Sequence, residues 1–278
     1  MRFQPRQPRN VGGGCINTAV KLSDQNQHWF VKLNHASRLD MFEAEALGLK
    51  ELAIPDAIRV PMPLCTGSAN GQSYIVMEYL QLGSGGGAGI AEAGTQLAKL
   101  HAHLAPSFGW QHNNTIGSTP QPNDWTKDWI DFWREHRLGF QLQEAERNGL
   151  DTPLQDLGAR LQECFPALMD HNPQPSLLHG DLWGGNLGFD ENAHPVIYDP
   201  ATYYGDREAE LAMTELFGGF GAGFYAAYNN AWPLDAGYAT RKEFYNLYHI
   251  LNHANMFGGG YVGQAQRIME RLLAELGA

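Results

Sequence analysis

Three oxygen-bearing side chains near the middle of the chain could do chemistry together. In LLHGDLWGGN (177–186), Asp181 follows a His-Gly step, Trp183 comes two residues later, and Asn186 closes a Gly-Gly pair. Further on, VIYDP places Asp199 at the end of an apolar run. A carboxylate can orient or deprotonate a hydroxyl, and an amide oxygen with a second carboxylate suits a hard divalent cation. That set is what phosphoryl transfer requires, because charge builds on the phosphate oxygens as the reaction proceeds. Asp181 is therefore the candidate catalytic base, and Asn186 and Asp199 are the candidate Mg²⁺ ligands, in the Asp-x₄-Asn then Asp order of kinase catalytic loops. Trp183 has two readings: a platform for the apolar C–H face of a sugar, or a core tryptophan that anchors the loop.

Upstream residues supply the other half of such a site. Gly12, Gly13 and Gly14 end a strand-like segment, where backbone amides could approach phosphates without a Cβ in the way. Lys32 in FVKLN suits a phosphate-pairing lysine, and Glu45 on the next helix would hold it, with Glu43 the weaker alternative. VMEYL (76–80) reads as a hinge whose backbone meets adenine, through Met77, Glu78, Tyr79 and Leu80, with Glu78 and Leu80 as the bonding positions. Each element alone has a plainer reading as a turn, a surface lysine or a strand end. Their order and spacing carry the inference to ATP. Gly180 stands where protein kinases carry an arginine that serves a phosphorylated loop, and few residues separate Asp199 from the helix start at Asp206. A small acceptor fits that arrangement better than a peptide platform.

These residues need elements to position them. NTAVKLS (17–23) and HWFVKLN (28–34) read as two strands of a hairpin, and residues 72–80 as another strand. Between them, Leu39, Phe42, Ala46, Leu49 and Leu52 share one helical stripe. LGSGGGAG (82–89) reads as a flexible crossing. Helices follow: one marked by Ala93, Leu97, Leu100 and Leu104, a Trp-rich one over 124–148, one from Tyr238 to Phe257, and a last one carrying Val262 to Leu276. The expected fold is α+β and bilobal, with a small antiparallel sheet lobe with one helix over 1–81, which would bind ATP, and a larger, mainly helical catalytic and substrate-binding lobe over 82–278. His101 sits at the edge of an apolar stripe and reads as a core histidine, not as half of a metal-binding H-x-H with His103. Asp206 reads as the cap of the next helix, bracing the catalytic loop from behind.

Bulk properties narrow the partners. With 278 residues, 43% apolar, the chain can bury a proper core. Its 30 acidic residues outnumber 19 basic ones, a formal charge of −11, which argues against nucleic acid as a partner. There is no apolar run long enough to span a membrane and no signal-peptide core. Three scattered cysteines, Cys15, Cys65 and Cys164, form neither a disulfide framework nor a zinc spacing, which suits a reducing cytoplasm. Cys15 lies inside the glycine loop, where exposed amides would lower its pKa; its oxidation would switch activity off, through a disulfide to a second chain. The expected state is a monomer, or a homodimer linked in this redox-dependent way.

HGDLWGGN, followed by IYDPATYYGDREAELAMTELFGGF (197–220), resembles the fructosamine kinase (ketosamine kinase) family, relatives of the aminoglycoside phosphotransferases. GGGCIN, FVKLN, MFEAE, NTIGSTPQPNDW and LNHANMFGGGYVGQ extend the resemblance over nearly the whole chain. It implies a protein-kinase-like fold, ATP and Mg²⁺, and phosphorylation of the 3-hydroxyl of a ketosamine, free or protein-bound, whose unstable product releases the amine. It also implies Asp181 as base, Asn186 and Asp199 as metal ligands, Lys32 as phosphate contact and Glu45 as its partner. Phe257 and Gly258–Gly260 are candidates for the acceptor side or equally for a plain helix cap, and Gln121, Asn123 and Trp125 for substrate contact or for lobe packing. The segment ahead of the glycine loop is shorter than in the family, so a reduced cap on the small lobe is expected. Competing readings are a kinase for another hydroxylated acceptor, an aminoglycoside or amino alcohol, and a non-catalytic nucleotide-binding redox sensor.

Overall fold

The computed structural model describes residues 8–12, 16–24, 27–150 and 152–278. Its N-terminal part is an antiparallel sheet of β1 (Arg9–Asn10), β2 (Thr18–Ser23), β3 (His28–His35), β4 (Pro63–Ala69) and β5 (Gln72–Glu78), in the order β1-β2-β3-β5-β4. Alternation along these strands makes two faces. Ala19, Lys32 and Ile75 stand opposite one another across three strands, so one face carries the lysine beside buried apolar residues. Helix α1 (Leu39–Ala53) covers the sheet with Phe42, Ala46, Leu49 and Leu52, the stripe expected from spacing. Glycine is needed at position 48: a Cβ there would lie 2.8 Å from Thr202 Oγ1, so the helix seats directly on the segment that follows Asp199.

The crossing is less free than its glycines suggest. Gly83 N–H donates to Phe189 O, and α2 (Gly86–His101) has already begun three residues later. Gly85 and Gly89 both lie against the Phe189 ring, where any side chain would collide. The glycines are there for close packing. Leu104, expected on the α2 stripe, falls beyond the helix and is exposed.

After a small hairpin, β6 (Asn114–Ile116) with β7 (Thr119–Gln121), the tryptophan-rich segment forms α3 (Trp129–Trp133), a π-helical turn (Arg134–Gly139) and α4 (Phe140–Arg147). Helix α5 (Thr152–Cys164) was not legible from its spacing, nor were strand β4 and the helix at Ala222–Ala231. β8 (Ser176–Leu178), β9 (Leu187–Phe189), β10 (Pro195–Ile197) and β11 (Tyr203–Gly205) then form two short antiparallel pairs, β8 with β11 and β9 with β10. Helices α6 (Arg207–Leu216), α7 (Ala222–Ala231), α8 (Tyr238–Phe257) and α9 (Gly260–Leu276) complete the chain. The α+β expectation therefore holds, with sheet first and helix after. Among the described residues no helix is long and apolar enough to cross a membrane.

Candidate active site

The two β pairs explain why Asp181, Asn186 and Asp199 meet. Residues 179–186 leave β8 and enter β9, and residues 198–202 leave β10 and enter β11, so the two loops lie side by side. Backbone bonds stitch them: Ala201 N–H to His179 O at 2.8 Å, and Tyr198 N–H to Asn186 O at 3.1 Å. Gly180 adopts φ +85°, and a Cβ there would stand 2.0 Å from Ala201 O, so the contact admits only glycine. Asp199 itself sits at φ +60°, a costly conformation for a residue with a side chain.

Burial sets the charge states. His179 is fully buried, and loss of water holds its ring below the ordinary imidazole range. Neutral, it donates from Nε2 to Tyr198 O and accepts the Asp181 N–H at Nδ1. Burial, and then the nearby Asp199 charge, push the Asp181 carboxyl well above the usual carboxylate range, against a hydrogen bond from Asn186. Asn186 Nδ2 donates to Asp181 O at 2.8 Å and to Asp181 Oδ2 at 3.3 Å, which turns its Oδ1 the other way.

From the sheet, Lys32 Nζ reaches Glu45 Oε1 at 2.6 Å and Asp199 Oδ1 at 2.5 Å. Burial alone would lower the Lys32 pKa, but the two carboxylates more than offset it and hold the ammonium charged. Glu45 is the partner, and Glu43, one step round the helix, is exposed. Asp199 stays half-open, with one oxygen on the lysine and, among the described residues, no bond to the other.

The hinge residues lie where β5 ends. Met77 is buried, while Glu78, Tyr79 and Leu80 are half-buried. Glu78 N–H is already committed to Met62 O, and its carboxylate to Arg59 at 2.7 Å; Arg59 also reaches Asp190 in the β9–β10 turn. Lys21 sits over the Tyr79 ring at 3.8 Å. Gly12 is exposed with open space around it, and Gly13, Gly14 and Cys15 lie outside the described residues. Cys65 and Cys164 are free thiols.

Trp183, expected as a sugar platform or a core anchor, is 40% exposed and so not a core anchor; its ring rests on Gly185 and meets Phe217 edge to face at 6.2 Å. Phe257 is 63% exposed, one turn from His253 on α8. Gly258 and Gly259, at φ +63° and +60°, form the α8-to-α9 junction, so capping accounts for them. Gln121 and Asn123 are buried. Gln121 bonds Tyr248 Oη, Asn114 Oδ1 and Ala201 O, and Asn123 bonds Asn114 and Arg137. They support the Asp199 segment from beneath. Trp125 is exposed and packs beside Tyr204, whose hydroxyl reaches Glu51 of α1.

Sequence reasoning missed the brace of the catalytic loop. Glu210 of α6, 3% exposed, accepts the Gly180 N–H at 2.6 Å and pairs with His101 Nε2 at 2.8 Å; His101 in turn meets Tyr228 Oη. His101 is thus the core histidine expected, and His103 lies apart from it. Asp206 caps α6 through the Glu208 N–H, as expected, but its other oxygen holds His171 and Tyr245, not the loop. The cue available was a string of acids, DREAE (206–210), in a helix otherwise buried. His171, Asp206 and Glu208 could hold a metal by proximity, yet Tyr245 and a bidentate Arg241 already occupy their oxygens.

The fructosamine kinase family model matches residues 1–275. The chain belongs to the fructosamine kinase family. A protein of Synechocystis sp. (strain ATCC 27184 / PCC 6803 / Kazusa) named as a ketoamine kinase is 51% identical over 98% of this chain and 92% of its own length. A chloroplastic protein-ribulosamine 3-kinase of Oryza sativa subsp. japonica is 44% identical over 97% of this chain and 79% of its own. Among solved structures, a protein of Haemophilus somnus 129PT described as a fructosamine-3-kinase superposes with a TM-score of 0.90 at 32% identity, covering 98% of this chain and 92% of that one. An aminoglycoside phosphotransferase in complex with ADP and hygromycin B shares the fold at 16% identity, TM-score 0.68, over 99% and 95% of the two chains. The fructosamine kinase fold accounts for the bilobal, kinase-like arrangement, with the Lys32–Glu45–Asp199 cluster facing Asp181 and Asn186.

Proposed function

We propose that this member of the fructosamine kinase family transfers the γ-phosphoryl group of ATP to the 3-hydroxyl of a ketosamine, a reaction that leads to release of the amine. One observation carries the reading: a half-buried carboxylate, Asp181, shares a rigid loop with Asn186 and faces Asp199, which a buried lysine holds. The names of the relatives, ketoamine kinase and ribulosamine 3-kinase, support the acceptor class. Residues 1–81 serve as the nucleotide lobe and 82–278 as the catalytic and acceptor lobe. The reading places the protein in the cytoplasm, on its isolated cysteines.

Asp181 is the base. Its carboxylate aligns the acceptor O3–H and takes its proton as the oxygen attacks phosphorus, and burial with the Asp199 charge gives it the proton affinity for that step. Lys32 contacts the nucleotide phosphates, with Glu45 fixing its position. Backbone groups of the hinge, Leu80 above all, meet adenine, and the glycine loop from Gly12 covers the phosphates. Asn186 Oδ1 and the second Asp199 oxygen are hard donors of the kind Mg²⁺ takes, so this pair would hold the ion. When bound, Mg²⁺ neutralises charge on the transferring phosphoryl group. Trp183 supports the sugar face beside the base.

Coupled ADP release with Mg-ATP against a ribulosamine, an erythrulosamine, a fructosamine and an aminoglycoside tests the reading. Turnover on ketosamines, with phosphate on O3, is expected. Asp181→Asn should lose turnover while still binding ATP, because the base goes and the nucleotide contacts stay. Turnover on the aminoglycoside alone, or equal turnover by the variant, would overturn it.

A further inference from the structure

Three successive contacts tie one face of α1 to the segment that follows Asp199. Glu45, Gly48 and Glu51 stand three residues apart, so they share that face over about 9 Å of helix. Glu45 bonds Lys32 at 2.6 Å, and Lys32 in turn bonds Asp199. Gly48 lies against Thr202, where a Cβ would come within 2.8 Å of Oγ1. Glu51 accepts the Tyr204 hydroxyl at 2.7 Å, from 153 residues further along the chain. The segment that receives these contacts is itself fixed. Asn114 Nδ2 donates to Thr202 O at 2.8 Å and Gln121 Nε2 to Ala201 O at 3.0 Å. Tyr204 exchanges both backbone bonds with Gly109, at 2.8 and 2.9 Å.

The apolar side of α1 cannot set the register of the helix by itself. Phe42, Leu49 and Leu52 pack against the core, but such packing has no direction and tolerates a small rotation or slide. The Lys32–Glu45 pair holds the helix at one point, about which it could pivot. A second polar tie, six residues further along at Glu51, removes that freedom. Its donor is dependable: Tyr204 is 5% exposed, and burial, then the Glu51 hydrogen bond, push the phenol up, so at neutral pH it keeps its proton. Protein kinases leave the alignment of the equivalent lysine–glutamate pair to a phosphorylated loop. Here residues 198–202 alone join β10 to β11, and the tie is built into the fold.

We propose that Tyr204 is a positioning residue: through Glu51 it fixes the register of α1 and so keeps Glu45 on Lys32. The proposal rests on the assignment of Lys32 to the nucleotide phosphates. Steady-state kinetics test it, with ATP and the best acceptor of the panel above varied in turn. Tyr204→Phe removes one oxygen and keeps the ring beside Trp125 and His103. It should lower kcat/KM for ATP about tenfold and leave the acceptor KM within about twofold of wild type. Glu51→Ala should lose as much, whereas Glu51→Gln, which still accepts the hydroxyl, should stay within about twofold of wild type. Added to Glu45→Gln, Tyr204→Phe should cost nothing further, because the contact it protects is already gone. A full additional loss in that background, equal losses in Glu51→Gln and Glu51→Ala, or an unmoved kcat/KM for ATP in Tyr204→Phe would overturn the role of Tyr204 and leave the kinase reading intact. Wild-type activity in Glu45→Gln would instead remove the Lys32 assignment, and the role of Tyr204 with it.

Discussion

Lys32 shows how much one buried charge can organise. It is joined to Glu45 and Asp199 across two parts of the chain, and two carboxylates offset the cost of its burial. Lys32→Met would remove the proposed phosphate contact and leave two acids facing each other. We expect kcat/KM for ATP to fall about 10²- to 10³-fold, read by the same ADP-release assay. The sequence made Lys32, Glu45, Asp181, Asn186 and Asp199 legible because phosphoryl transfer restricts their types and spacing. It could not separate the two readings of Trp183, since exposure depends on what packs around the loop. Nor could it find Glu210, whose partners, Gly180 N–H and His101, lie on other elements.

At the scale of elements, the catalytic loop is held by contacts too close for any side chain. Gly180→Ala would drive a Cβ into Ala201 O and force an L-residue to φ +85°. Turnover should drop at least about a hundredfold, because Asp181, the proposed base, moves relative to the acceptor. The lock beneath it is polar: Gln121 joins the β6–β7 hairpin to Ala201 and to Tyr248 of α8. Gln121→Leu strands Asn114 Oδ1, Ala201 O and Tyr248 Oη of one partner each. A loss of about 1–3 kcal/mol in urea unfolding is expected. The glycine-rich crossing teaches a related lesson. Its composition suggests flexibility, but Gly85 and Gly89 are required by the Phe189 ring against which they pack, and Gly83 is tied to Phe189 through its backbone.

Over the whole molecule, buried neutral histidines link stability to pH. His249, 5% exposed on α8, has its pKa pushed down to about 3 by burial, then by His253 and Arg137. The unfolded chain takes up a proton near the ordinary value of 6.5, which the folded chain refuses until about pH 3. Its contribution to stability is thus present above pH 6.5 and is lost on acidification between those values. Between pH 7 and pH 5 this residue alone should cost about 2 kcal/mol. Urea unfolding at both pH values checks it: His249→Gln should show a pH dependence smaller by about that amount, and an unchanged one would contradict the linkage.

By itself the sequence determined the chemistry and the main elements. Reaction type fixes which side chains must recur in which order, and hydrophobic period fixes where strands and helices form, as in α1 and in α8, whose limits Tyr238 and Phe257 were read directly. Tertiary structure decided what depends on contacts between distant segments. It set which acid braces the loop, which glycines are closed to side chains, that Trp183 opens to solvent while Gln121 and Asn123 do not, and that Phe217 meets Trp183. Burial and adjacency across elements arise only when the chain has packed, so no local pattern encodes them.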